Sequence, residues 1–232
     1  MKATELLDLI GFSRQPVDLR EPLISTIGGF LGIFGILVTA QWLLDPDTAV
    51  LIVPSMGASA VLLFASPHAP FAQPWNLVAG HAISAVIGVA CWQWIPDYTI
   101  AASSSVGLAI GAMYVARCIH PPGGATALAA VIGSERLHQL GYGYEFTPIL
   151  LNVAAIFAVA VAFNWWFRWR RYPGHLQRHP TPPEPYPPIR HEDFVYALSQ
   201  IETYVDISEE DLLEIYRLAT GHRQQQEARK SD

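Results

Sequence analysis

Long uncharged apolar runs dominate the pattern of hydrophobic and polar positions. Between Pro22 and Ala116 the chain contains no Lys, Arg or Glu, and its only charged residues are Asp45, Asp47 and Asp97. A soluble fold needs charged surface over such a length, whereas helices that face lipid do not. The pattern therefore predicts a helical membrane protein.

Four of these runs match the ~20 residues that a helix needs to cross a bilayer. They cover residues 23–44, 76–95, 98–116 and 147–167. Two shorter apolar segments lie between them, at 49–65 and 120–133, and Pro54 and Gly57 interrupt the first. The order span, short segment, span occurs twice. This predicts an all-α polytopic protein with repeat 1 at about 22–95 and repeat 2 at about 98–171.

The two short segments carry the same motif at matching places. Motif 1 reads Pro54-Ser55-Met56-Gly57-Ala58-Ser59-Ala60, and motif 2 reads Pro121-Pro122-Gly123-Gly124-Ala125-Thr126-Ala127. Each begins with proline, has Gly-Ala at its centre and continues with a hydroxyl residue and alanine. Short apolar segments interrupted by Gly and Pro in both halves of a chain point to a transporter's binding site.

The number of crossings depends on whether the short segments span the bilayer or are re-entrant. Six crossings make the halves inverted repeats, and four make them parallel. The basic cluster Arg168, Arg170 and Arg171 places the C-terminus in the cytoplasm, and both arrangements then place the N-terminus there too. Six crossings also put Arg117 inside and leave Arg136 as the only basic residue outside, so charge favours six.

The rest of the chain flanks this membrane domain, which we predict over residues 22–171. Residues 1–21 are predicted as a cytoplasmic segment, 172–190 as a proline-rich linker and 191–232 as a cytoplasmic helical tail. Phe194, Leu198, Ile201 and Val205 form an apolar stripe in that tail. The alternative to a transporter is therefore a membrane scaffold or sensor that acts through its tail.

A helix that starts after Pro54 or Pro122 would offer an anion-binding amino end. Its first N–H groups lack partners and its dipole adds partial positive charge, so small anions bind without a lysine. In an inverted repeat the two amino ends would meet near the bilayer midplane. The predicted substrate-binding residues are Pro54, Ser55, Met56, Gly57, Ala58, Ser59, His120, Pro121, Pro122, Gly123, Gly124, Ala125 and Thr126.

Five side chains are candidates for proton coupling or for the substrate pathway. His81 and His120 are ionisable residues in or beside apolar segments, although a structural role is an open alternative. Arg117 is a candidate for the pathway or a cytoplasmic anchor. Asn76 and Asn152 could line a path or join helices by hydrogen bonds.

Small residues recur at four-residue spacing on two of the predicted spans. They are Gly80, Ser84 and Gly88 on one, and Ser103, Gly107 and Gly111 on the next. Such faces let helices approach closely in lipid. We therefore interpret them as packing surfaces and expect a homo-oligomer.

Composition and residue spacing exclude several other classes of function. The net charge of −6 comes mainly from the acidic tail, so there is no reason to expect nucleic acid as a partner. Cys91 and Cys118 have no paired or metal-like spacing and are predicted to be buried thiols. Without a His/Glu cluster or a nucleophile with a base, we expect no enzyme activity, cofactor or metal.

The stretch His120-Pro121-Pro122-Gly123-Gly124-Ala125 resembles the signature of the HPP family of integral membrane proteins. Motif 1 and the flanking spans agree with that family's pattern, and the resemblance covers about residues 22–167. The family is usually described as having four spans. The resemblance implies transport, with nitrite as the first substrate because plastid and cyanobacterial members are linked to nitrite. For a bacterial member it implies the cytoplasmic (inner) membrane.

Overall fold

The computed structural model describes residues 19–43 and 46–176, with side chains described in 19–39, 54–144 and 148–176. This part of the chain is helical and contains no strand, which confirms the all-α fold. The N-terminal segment before residue 19, most of the proline-rich linker and the tail at 191–232 lie outside the described residues. The helices in order are α1 (Arg20–Leu43), α2 (Pro46–Ala65), α3 (Pro74–Trp94), α4 (Tyr98–Val115), α5 (Pro121–Ile132), α6 (Glu135–Gln139) and α7 (Leu151–Trp165).

Four helical stretches in the described residues are long and apolar enough to cross a membrane. They are Arg20–Thr39, Pro74–Trp94, Tyr98–Val115 and Pro148–Trp165, the last of which begins in a π-helical turn ahead of α7. α5 has 12 residues and is therefore roughly 18 Å long, short of the ~30 Å hydrocarbon core. Six crossings and an inverted repeat stay predictions.

Proline stands at the start of α2, α3 and α5, but in α2 the first residue is Pro46 and not Pro54. Pro74 and Pro121 each stand in the first turn of a helix, where the missing N–H is not needed. α2 instead begins at Pro46 and continues through Pro54, so the predicted helix start after Pro54 is wrong. Neighbouring groups in a membrane domain compensate for the hydrogen bond that an internal proline removes. Only motif 2 therefore lies at the amino end of a helix.

α3 and α5 approach each other until backbone meets backbone. A Cβ atom on Gly88 would lie 2.4 Å from the Ala127 carbonyl oxygen, and one on Gly123 would lie 2.7 Å from Ser84 Oγ. Such close approach is possible only with small residues. The predicted small-residue face of α3 is thus confirmed as a packing surface, and its partner is motif 2.

α1 packs through two of its glycines onto aromatic rings of α2 and α7. A Cβ on Gly28 would lie 2.6 Å from the Phe64 ring and 2.7 Å from the Phe163 ring, and one on Gly32 would lie 2.5 Å from Phe64. Phe64 and Phe163 meet edge to face with ring centroids 5.9 Å apart. These contacts tie the first candidate span to the core.

The small-residue face of α4 has no such partner in the described part of the chain. Ser103, Gly107 and Gly111 are exposed, and a Cβ on either glycine would have no heavy atom within 4 Å. Within the described residues this face therefore makes no close helix contact. A homo-oligomer stays a prediction.

The segment after α7 folds back onto the end of α2 and the loop that follows it. Arg170 is fully buried, and its guanidinium donates to the Phe64 carbonyl and, at 3.4 Å, to Asn164 Oδ1. The Tyr172 hydroxyl donates to the Ala72 carbonyl at 2.7 Å. Arg170 is therefore a charge buried inside the protein, whereas Arg168 of the same basic cluster is exposed.

Candidate functional site

His81 lies fully buried in α3, and both of its ring nitrogens have hydrogen-bond partners. Nδ1 lies 2.8 Å from Thr126 Oγ1, and Nε2 lies 2.9 Å from Ser59 Oγ. Ser59 belongs to motif 1 and Thr126 to motif 2. His81 therefore joins hydroxyl groups from the two motifs.

His120 is the N-cap residue of α5 and is also fully buried. Its Nδ1 lies 2.8 Å from the Phe71 carbonyl oxygen, and its Nε2 lies 3.0 Å from Ser59 Oγ. The imidazole rings of His81 and His120 meet with centroids 4.8 Å apart and planes inclined by 64°. Ser59 thus stands between the two histidines. We call Ser59, His81, His120 and Thr126 the histidine cluster.

One arrangement of hydrogens satisfies all four of these contacts when both imidazoles are neutral. The Phe71 carbonyl can only accept, so His120 donates from Nδ1 and accepts at Nε2. Ser59 has two acceptors within reach, the Ser55 carbonyl at 3.1 Å and the Nε2 of His120 at 3.0 Å. In this arrangement its single proton goes to that Nε2, and its oxygen accepts from the Nε2–H of His81. The Nδ1 of His81 then accepts from the Thr126 hydroxyl. The cluster is a directed chain of hydrogen bonds from Thr126 to the Phe71 carbonyl.

Asn76 and Gly80, one turn apart on α3, position the start of α5. The Asn76 side-chain amide donates to the Ile119 carbonyl at 2.8 Å. A Cβ on Gly80 would lie 2.5 Å from His120 Cβ and 3.1 Å from the Cys118 carbonyl oxygen. Asn76 therefore bridges two segments, which is the second of its two predicted roles.

The amino end of α5 offers no free N–H group in its first three residues. Pro121 and Pro122 have no N–H, and the Gly123 N–H donates to the His120 carbonyl at 2.8 Å. The space beside Gly123 is filled by Ser84 Oγ and by the Gly80 carbonyl. Anion binding by these first backbone groups, as predicted, is therefore not available in this conformation.

The other residues of the two motifs lie outside the histidine cluster. Buried against the rest of the protein are Ser55, Met56, Pro122 and Gly123. Half-buried or exposed on the outside of the helices are Pro54, Gly57, Ala58, Pro121, Gly124 and Ala125. Of the predicted binding residues, the structure brings Ser59, His120 and Thr126 together with His81.

Arg117 ends α4 in the left-handed backbone conformation, with φ of 52°. The Cys118 N–H donates to the Met113 carbonyl at 2.9 Å and the Arg117 N–H to the Tyr114 carbonyl at 3.1 Å. This is the Schellman pattern, in which glycine usually occupies the left-handed position. The Arg117 side chain is exposed and is not among the hydrogen-bond partners of the histidine cluster in the described residues.

Replacing Arg117 with glycine is expected to raise the free energy of unfolding by about 0.5–1 kcal/mol, because glycine removes the Cβ strain of this conformation. Thermal unfolding of the purified protein in detergent measures the change. Arg117→Ala is the control, since it removes the same charge and keeps the Cβ atom. Equal losses of stability in both variants would show instead that the arginine side chain makes stabilising contacts.

Two groups at the cluster were not expected from the sequence. The Phe71 carbonyl is a backbone group, and no side-chain pattern marks it. The Tyr144 hydroxyl donates to the Thr126 carbonyl at 3.2 Å, although Tyr144 lies outside the predicted spans and short segments. Asn152, a predicted pathway residue, is buried in α7, and its Oδ1 has no hydrogen-bond partner in the part of the chain that the structure describes.

Comparison with known proteins identifies a family model and two relatives that are similar to this chain. Residues 14–173 match the family model described as HPP, transmembrane region. Two transmembrane proteins of Dictyostelium discoideum are similar, one 36% identical over 169 residues and one 38% identical over 166 residues. These alignments cover 70% and 69% of this chain but 54% and 58% of the relatives, so the chain spans little more than half their length. No solved structure matches the chain.

Proposed function

This chain belongs to the HPP family of transmembrane proteins, and on that premise we propose that it transports a small monovalent anion, with nitrite as the first substrate to test. The proposed site is the histidine cluster. In this proposal hydroxyl and imidazole groups bind the anion, in place of the backbone N–H groups predicted from the sequence.

One observation carries the proposal. Hydroxyl groups from both repeated motifs and two imidazoles meet in one fully buried cluster inside an otherwise apolar helical domain. Buried polar and ionisable groups at membrane depth are costly, and they mark the paths of substrates and protons. Simple helix packing does not require them, because the glycine contacts between α3 and α5 already hold these helices together.

The chemistry of the cluster favours a small anion with a single charge. Thr126, Ser59 and the Nε2–H of His81 are three neutral donors, and they can turn from one another to an anion. α3, α4 and α5 contain no Lys or Arg to compensate a second negative charge. In this conformation the groups of the cluster are hydrogen-bonded to one another. An anion that binds would replace some of these hydrogen bonds with its own.

We further propose the bacterial cytoplasmic membrane, with both chain termini in the cytoplasm. Support for the orientation comes from the basic residues after α7, since basic residues favour the cytoplasmic side. Arg168 is exposed, and Arg171 lies over the Trp165 ring at 5.0 Å, as expected for an interfacial anchor.

Removing the Thr126 hydroxyl is expected to reduce anion uptake by about tenfold, because one donor of the site is lost at nearly constant volume. The measurement is uptake of nitrite, nitrate, formate and chloride into proteoliposomes by Thr126→Val and by the unchanged protein. Thr26→Val is the matched control, since Thr26 is exposed on α1 and its hydroxyl donates to the Pro22 carbonyl of the same helix at 2.7 Å.

Selective loss in Thr126→Val, with Thr26→Val unchanged, supports transport through the cluster. Equal uptake by both variants would place the anion path elsewhere in the protein. Folded protein that moves none of the four anions would contradict the proposed substrate class.

A further inference from the structure

We propose that the histidine cluster is also a proton relay, in which the Ser59 hydroxyl passes a proton between His81 and His120. This inference rests on the proposed function and deepens it, because it names the proton as the ion coupled to the anion. The relay needs donors and acceptors in line, a place for one extra proton, and no competing acid.

The neutral cluster already has its donors and acceptors in line. His81 donates to Ser59 at 2.9 Å, and Ser59 donates to His120 at 3.0 Å. Both distances are those of ordinary hydrogen bonds. Since the Phe71 carbonyl holds the proton of His120 on Nδ1, the Nε2 of His120 faces Ser59 as an acceptor.

An extra proton fits the cluster with its hydrogen bonds retained. If Nδ1 of His81 takes it up, that N–H donates to Thr126 Oγ1 at 2.8 Å. The Thr126 hydroxyl then turns to the Pro122 carbonyl, 3.5 Å away. His81 is now an imidazolium whose Nε2–H still donates to Ser59.

The transfer exchanges two protons across one hydroxyl. The Nε2–H bond of His81 breaks, and this proton forms a new O–H bond on Ser59. The original O–H bond of Ser59 breaks, and its proton forms an N–H bond on Nε2 of His120. His81 is left neutral with its proton on Nδ1, and His120 becomes an imidazolium that donates to the Phe71 carbonyl and to Ser59.

Charged groups near the relay are few. α3, α4, α5 and α7 contain no Asp, Glu, Lys or Arg, and the acid of α2, Asp47, lies in its first turn, three turns before Ser59. The neighbouring titratable groups are the Cys118 thiol and the Tyr144 hydroxyl, which donates to the Thr126 carbonyl. The π-helical turn packed on α2 and α3 contributes Glu145 by sequence. Within the relay, the two histidines are therefore the groups that take up the extra proton.

The relay ends at the Phe71 carbonyl, which cannot itself take up a proton. Release from His120 therefore requires His120 to part from this carbonyl or to meet water. Phe71 lies in the short helix Pro70–Ala72, which Tyr172 holds through the Ala72 carbonyl. A movement of this short helix would break the contact between His120 and Phe71, and water that enters would accept the proton without such a movement.

Nitrogen-15 NMR of histidine-labelled protein in lipid bilayers tests the relay without any transport. At alkaline pH we expect the proton of His120 on Nδ1 and that of His81 on Nε2. On acidification the pair is expected to take up one proton between them and to exchange it. Reversed tautomers in the neutral state, or two imidazolium ions present together, would overturn the relay.

Ser59 variants test the relay through proton exchange between the histidines and proton movement during transport. In Ser59→Ala we expect exchange between the histidines to stop and proton movement with the anion to fall to that of empty liposomes, as read by a pH dye inside the vesicles. Ser59→Cys, which keeps a proton-bearing group of similar size, is expected to restore part of both signals. Proton movement in Ser59→Ala equal to that of the unchanged protein would overturn the proposal. If no variant transports an anion, the proposed function fails and the NMR result alone decides the relay.

Discussion

Replacing Arg170 with methionine is expected to lower the free energy of unfolding by about 2–5 kcal/mol. The guanidinium is fully buried and donates to the Phe64 carbonyl and to Asn164 Oδ1. Methionine fills much of the space but leaves both acceptors without a donor, and a buried unsatisfied polar group costs about 1–3 kcal/mol. Unfolding in detergent, followed by the loss of helical circular dichroism, measures the effect.

Arg168→Met is the matched control for this prediction. It makes the same change of side chain and charge two residues earlier, at an exposed position. We expect its stability to stay within about 0.5 kcal/mol of the original, as for most surface substitutions. Equal losses in the two variants would show that net charge after α7, and not the contact with α2, sets the stability.

Replacing Gly88 with alanine is expected to destabilise the protein by about 3 kcal/mol, the upper end of the usual cost of overpacking. The added Cβ would lie 2.4 Å from the Ala127 carbonyl oxygen and 2.7 Å from Ala130 Cβ. Neither atom belongs to a flexible side chain, so α3 and α5 must move apart. Thermal unfolding in detergent measures the loss of stability.

The same substitution is also expected to reduce anion uptake in the protein that remains folded. Thr126 precedes Ala127 on α5, so separation of the helices lengthens the 2.8 Å contact between Thr126 and His81. Gly111→Ala on α4 is the control, since a Cβ there meets no heavy atom within 4 Å. Unchanged uptake by folded Gly88→Ala protein would show that transport does not need this contact.

Both predictions concern packing that holds the histidine cluster in place. Arg170 fixes the end of α2, which carries Ser59, and Gly88 allows α5 to bring Thr126 to His81. Close-packed cores transmit small displacements of one helix to its neighbours. A change in packing at either position is therefore expected to alter the hydrogen-bond distances in the histidine cluster. Stability and transport are therefore expected to change together at these positions.

Much of the fold could be predicted from the chain. The lack of charge identified a helical membrane domain, and proline marked the start of α5. The span predicted from residue 76 begins two residues earlier, at Pro74. The face of Gly80, Ser84 and Gly88 was correctly interpreted as a packing surface. The same reasoning was wrong at Pro54, because the local preference of proline for a helix start was overridden inside a packed domain.

The sequence by itself determined the protein's class and the residues worth examining, including both histidines and both motifs. Hydropathy and the backbone limits of proline and glycine act over a few residues, so they can be read along the chain. Only the tertiary structure decided that Ser59 meets His81, 22 residues away, and His120, 61 residues away, and that Arg170 turns inward. Those meetings depend on how whole helices pack, and packing is set by contacts that no local pattern encodes.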